Sequence, residues 1–160
     1  TEDWIRLSSG EELKADIIIT ATGLKLNALG DVQISVDGEA VAFGDHTAYK
    51  GMMLSDIPNL ILTFGYTNAS WTLKAELTSN YTCRLLQFMD RKGYRVAVPR
   101  RDADVQDAPF LNFTSGYVKR AEGMLPKQGD RKPWQVHQNY LQDKLTIQYG
   151  RVDGGVMQVQ

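Results

Sequence analysis

The chain has 160 residues, enough for one domain with a real core or for a piece of a larger protein. Hydrophobic residues make up 42% and charged residues 23%, an ordinary globular balance, and no apolar run approaches the roughly 20 residues a membrane helix needs. A net charge of −1 gives no electrostatic footprint for nucleic acid or an anionic membrane, and the single cysteine, Cys83, excludes an internal disulfide framework and fits a reducing cytoplasm.

The opening Thr1-Glu2-Asp3-Trp4 is neither a signal peptide nor an initiator methionine and reads as a cut into a longer chain. Trp4-Ile5-Arg6-Leu7 alternates and stops at the turn signal Ser8-Ser9-Gly10. The β-branched run through Ile17-Ile18-Ile19 to Ala21-Thr22-Gly23 then predicts the second strand of a hairpin, over 14–22, buried on both faces. Val32 to Val36 alternates, Asp37-Gly38 turns, and Ala40 to Phe43 returns, which predicts a second hairpin with one wet face. His46 to Met53 reads as an irregular loop or a short helical turn. Pro58 fits the first position of a buried strand over 60–64.

Gly65-Tyr66-Thr67-Asn68-Ala69-Ser70-Trp71-Thr72 follows, and then the clearest element, a helix over about 70–92. Leu73, Leu77, Tyr81, Leu85 and Met89 recur every four residues, widened by Leu86 and Phe88. Arg91 and Lys92 suit its last turn and Gly93 its αL cap. Tyr94 to Val98 predicts a short strand closed by Pro99. Beyond it the chain is loop-rich, with short helices expected over 115–125 and 138–144 and a frayed strand or tail in the last ten residues. Three glycosylation sequons, at Asn68, Asn80 and Asn112, are discounted because nothing else in the chain marks it as secreted.

Few constellations carry chemistry. Two histidines in unlike contexts and one cysteine do not assemble a metal site, so none is expected. Cys83 falls mid-helix, where a small buried apolar role is the default. There is no nucleophile elbow, and Asp45-His46 reads more simply as a capped turn than as an acid–base pair. Two places invite a ligand. Small residues at Ala21-Thr22-Gly23 let a cofactor or a crossing backbone come close. At 65–72 a strand ends at a glycine and a helix begins, which presents unpaired amides to whatever lies in front. No Gly-x-Gly-x-x-Gly or P-loop is present, so a phosphate cradle is missing.

At these two motifs the sequence resembles a known family. Asp16-Ile17-Ile18-Ile19-Thr20-Ala21-Thr22-Gly23 is similar to the strand–Ala-Thr-Gly signature of class B flavin monooxygenases, the group of flavin-containing and Baeyer–Villiger monooxygenases. Tyr49-Lys50-Gly51-Met52-Met53-Leu54, Pro58-Asn59 and Gly65 to Lys74 resemble the branch that contains the ethionamide-activating enzymes. Leu125-Pro126-Lys127-Gln128-Gly129 and Gln138-Asn139-Tyr140-Leu141 do so too, and the motifs keep their order along nearly the whole chain.

The resemblance implies an α/β fold and the C-terminal portion of a flavoprotein with two dinucleotide-binding domains. Residues 1–23 would be the end of the NADPH domain and the crossover strand, 24–99 the closing part of the FAD domain, and 100–160 an irregular extension. The sheet would be mixed, with hairpins and one long helix. In the complete enzyme NADPH reduces FAD, and oxygen is then delivered to a ketone or to a soft sulfur or nitrogen. The implied cofactor-binding residues are Thr22, Gly23, Tyr66, Thr67, Asn68, Ala69, Ser70, Trp71 and Thr72, with the amides from Asn68 to Thr72 at the N1/O2 edge of the flavin. Tyr66 and Trp71 would pack near the ring or wall a substrate pocket; core packing is an equal alternative for both.

Both glycine-rich loops of that family and its fingerprint motif are absent, and the arginine its Baeyer–Villiger chemistry needs belongs upstream. No catalytic residue is therefore assigned, and the chain alone is expected to be inactive. Uncovered sheet edges predict self-association. Two rivals remain: a piece of a disulfide-type FAD/NAD(P) oxidoreductase, disfavoured by the lack of a Cys-x-x-Cys pair, and a stand-alone binding or scaffolding domain.

Overall fold

In the computed structural model the described residues are 4–23, 25–27, 29–30, 32–111, 116–121 and 123–160, without the side chains at 117 and 119. The expectations that concern Thr1 to Asp3, the sequon at Asn112 and the start of a helix at Ser115 lie outside them. Among the described residues the architecture is one long helix, a few short helical turns and five two-stranded antiparallel sheets. No helix there is long and apolar enough to cross a membrane.

Strands β1 (Trp4–Arg6) and β2 (Glu12–Lys14) form the first hairpin, with Trp4 opposite Lys14. Its turn closes through Leu7 and Gly10, whose φ of 88° suits a residue without a Cβ. The expected strand over 14–22 stops at Lys14; from 15 to 23 the backbone is exposed and unpaired in any ladder, with Ile17 80% and Ile19 85% exposed. A strand needs a neighbour for its amides and carbonyls, and no described segment runs beside this one.

The Asp37-Gly38 turn forms as expected, with φ of 53° and 90°, between β3 (Ser35–Val36) and β4 (Glu39–Ala40). The segment read as an irregular loop contains a third hairpin, β5 (Ala48–Tyr49) and β6 (Met53–Leu54), turned at Lys50-Gly51. Both strands are fully buried. The expected strand over 60–64 is extended chain without a ladder; the Leu62 amide donates to Met52 O at 2.7 Å. Among the described residues no strand pairs with it, and the expected mixed sheet is replaced by small antiparallel pairs and one isolated parallel bridge, Thr47 to Lys127.

Helix α1 (Trp71–Lys92) matches its expected bounds and ends at Gly93 in the αL conformation, φ 71°. Leu77, Tyr81, Leu85 and Met89 are buried, Phe88 is half-buried and Leu86 is exposed. Each buried apolar side chain of this kind contributes about 1.5–3 kcal/mol. Cys83 is exposed, not buried, because it sits two residues past Tyr81 and so faces away from the stripe.

What α1 packs against comes from both sides of the sequence. Tyr49, Met52 and Met53 of the third hairpin meet it together with Trp134, Ile147, Val152 and Met157. Tyr49 and Trp134 pack edge to face at 5.6 Å. The short helix α3 (Tyr140–Asp143) runs into a π-helical turn, Lys144–Gln148, and the Arg84 guanidinium donates to the carbonyls of Ile147, Gln148 and Gly150 at its end. Strands β8 (Asp107–Pro109) and β9 (Lys127–Gly129) pair, with helix α2 (Gly116–Lys119) between them in sequence. The last residues are tied down: β10 (Met157–Val159) pairs with β7 (Ala97–Pro99), so the final segment is a paired strand, not a loose tail.

Candidate cofactor-binding site

The passage 65–72 is the N-terminal approach to α1. Gly65 is small because Trp71 lies on it: a methyl there would come 2.1 Å from the indole carbons. Trp71 itself remains 62% exposed. Ser70 occupies the N-cap with extended φ and ψ, but no side chain caps the helix; its hydroxyl lies 2.7 Å from Thr72 Oγ1. The first turn carries no acidic residue. Asn68, Ala69, Ser70 and Thr72 are exposed. The result is an open helix start with its partial positive charge unanswered.

Tyr66 points the other way. It is 2% exposed, and its hydroxyl donates to Asp143 Oδ2 at 2.7 Å. The same oxygen accepts from Lys74 Nζ at 2.7 Å, in a pair whose side chains are 4% and 5% exposed. The Lys74 ammonium stands 5.6 Å from the centre of the Tyr66 ring. Burial pulls the Lys74 pKa down while Asp143 pushes it back up. Burial and then Asp143 hold the Tyr66 phenol above its usual range. Thr67 and Asn68 are fastened to the same arm. The Thr67 amide and hydroxyl donate to Gln138 Oε1 at 2.9 and 3.0 Å, and Asn68 Nδ2 donates to Gln138 O at 3.0 Å.

Thr22 and Gly23 are exposed and line a separate open cavity of about 720 Å³ with Lys25, Leu26, Arg120, Ala121 and Met124. No described residue of 66–72 lines it, so the two halves of the expected site do not share a cavity. His46 is structural: its Nδ1–H donates to Ser55 O at 2.8 Å. Among the described residues no group of three metal-ligating side chains comes together.

The sequence assigns no site role to Asp143, Gln138 or Lys74, although Lys74 and Gln138 fall in the motifs that carry the resemblance. One signal was present for Lys74. It falls in the first turn of α1, the unfavourable end for a cation, and on the face that carries Leu77, Thr78 and Tyr81. Such a lysine needs a buried anion, but nothing local says that the anion lies 69 residues on.

No family model matches the chain. Among curated proteins it is 54% identical over 154 residues to the FAD-containing monooxygenase EthA of Mycobacterium tuberculosis, which covers 96% of this chain and 32% of that protein. The EthA of Mycolicibacterium smegmatis is 50% identical over 96% of this chain and 31% of its own length. A protein named "Probable FAD-binding monooxygenase AlmA" from Acinetobacter baylyi is 42% identical over 98% of this chain and 32% of its own length. This chain is a relative of the FAD-containing monooxygenases. It spans about a third of the length of the curated relatives it matches. No solved structure matches it.

Proposed function

We propose that the chain is the C-terminal third of an FAD- and NADPH-dependent monooxygenase of the Baeyer–Villiger or heteroatom-oxygenating kind, and that 66–72 forms one wall of its flavin site. The observation that carries this reading is the uncapped start of α1. Exposed residues at a helix start whose first turn carries no acidic residue, the nearby Asp143 carboxylate being taken up by Lys74 and Tyr66, suit the N1/O2 edge of a flavin, where reduction places negative charge. Identity to proteins named for FAD over nearly the whole chain supports the choice of cofactor.

FAD, reduced by NADPH, would supply the oxygen-activating chemistry toward a ketone, sulfur or nitrogen substrate. The chain's own residues bind and orient. Asn68, Ala69, Ser70, Trp71 and Thr72 offer amides, Trp71 offers an exposed aromatic face, and Tyr66 anchors the passage from beneath. Thr22 and Gly23 belong to a crossing segment. Its exposed Ile17 and Ile19 complete a sheet contributed by the other two-thirds of the protein, and in the isolated chain the same surface drives self-association.

No glycine-rich phosphate loop is present, so the isolated chain has no cradle for the FAD diphosphate and no oxygenase activity. Purified alone it should show no flavin absorbance, whereas the full-length protein should carry FAD. Near-stoichiometric flavin on the isolated chain would overturn the reading.

A further inference from the structure

We propose that Gln138 is a positioning residue for the flavin-facing passage: by holding Thr67 and Asn68 it sets the direction of the 68–72 amides without touching the cofactor. The inference rests on the flavin reading above. Its basis is how the passage is held. Asp143 Oδ2 accepts from Tyr66 on one side of the loop and from Lys74 on the other, so one carboxylate oxygen fastens both ends. Between those ends, Gln138 Oε1 takes both the amide and the hydroxyl of Thr67, and Gln138 O takes the Asn68 amide group. The arm that does this is itself fixed, since Asn139 Oδ1 accepts from the Gln142 amide to cap α3.

Ser70 makes no side-chain cap, so α1 does not hold its own approach. The arm around Gln138, some 70 residues away in sequence, holds it instead. Loss of the carboxamide acceptor leaves two donors of Thr67 without their partner and lets the amides swing. Amides that swing stabilise a developing negative charge less well than fixed ones do.

The test uses the full-length FAD-bound protein with Gln138→Leu, which removes the acceptor at similar size. Gln142→Leu on the same arm is the control, because the Gln142 side chain makes no bond to the passage. Asn68→Pro perturbs the passage directly. Expected for Gln138→Leu is a lower flavin midpoint potential and an FAD dissociation constant raised about tenfold, with a melting temperature close to wild type. A role confined to stability would lower the melting temperature and leave the potential in place, and that result overturns the inference. So does a Gln142→Leu effect as large as that of Gln138→Leu. If Asn68→Pro alters flavin binding and Gln138→Leu does not, the clamp fails and the flavin reading stands. If neither has an effect, the flavin reading itself fails.

Discussion

Asp143→Ala is the substitution to which this fold should be most sensitive at a single side chain. It leaves the Lys74 ammonium, in a pair 4% and 5% exposed, without its counter-charge. Removing one partner of a buried ion pair costs about 3–5 kcal/mol. The Tyr66 hydroxyl also loses its acceptor, and a buried donor left unmade adds about 1–3 kcal/mol. A domain of this size is held by about 5–15 kcal/mol, so the variant should sit near the edge of folding. Lys74→Met combined with Asp143→Leu and Tyr66→Phe removes both charges and the hydroxyl together. That triple variant should lie within about 2 kcal/mol of wild type, since hydrophobic replacement of a buried pair is close to neutral. Urea denaturation followed by circular dichroism, with equal slopes, measures each step. Asp143→Ala within about 0.5 kcal/mol of wild type would refute the reasoning, because it would mean that Lys74 reaches water.

Lys50 gives a pH signature. Burial, then the neighbouring Arg84, pulls its amine down to about 8 from the usual 10.5. The native chain therefore binds fewer protons than the unfolded chain between those values, and the charged amine burdens the fold below that window. Lys50→Met should stabilise the chain at about pH 7 and lose most of that advantage by about pH 10, read from denaturation midpoints; a pH-independent difference contradicts it. Gly65→Ala drives a methyl into the Trp71 indole, so it should displace that ring and shift tryptophan emission, while an unchanged spectrum would place the indole elsewhere. Cys83 should react with a thiol reagent in the native state at nearly the rate of a free thiol, and reaction only in denaturant would contradict its exposure.

Local rules were legible and partners were not. Helix α1 could be read to within one residue at its start and to its last residue, because its stripe, its basic last turn and Gly93 all point to one answer. The Asp37-Gly38 turn was plain too, but its ladder is two residues a side, Ser35–Val36 with Glu39–Ala40, shorter than the expected strands over 32–36 and 40–43. The β5–β6 hairpin was missed because Lys50 adopts φ 51° where glycine or asparagine is the usual turn signal. The runs at 15–22 and 60–64 carry strong strand composition yet form no ladder, since composition names a strand and only a neighbour makes one. At the candidate site the helix start was visible and its support was not. Tyr66 and Lys74 owe their placement to Asp143, and Thr67 to Gln138, across separations of 69 to 77 residues.

The central claim, that the 68–72 amides at the end of the 66–72 passage face a flavin, is tested most directly by Asn68→Pro in the full-length protein. Proline removes an amide and distorts the approach to α1. The account predicts lower flavin content in the purified variant and slower reduction by NADPH. Wild-type flavin content together with an unchanged reduction rate would contradict it.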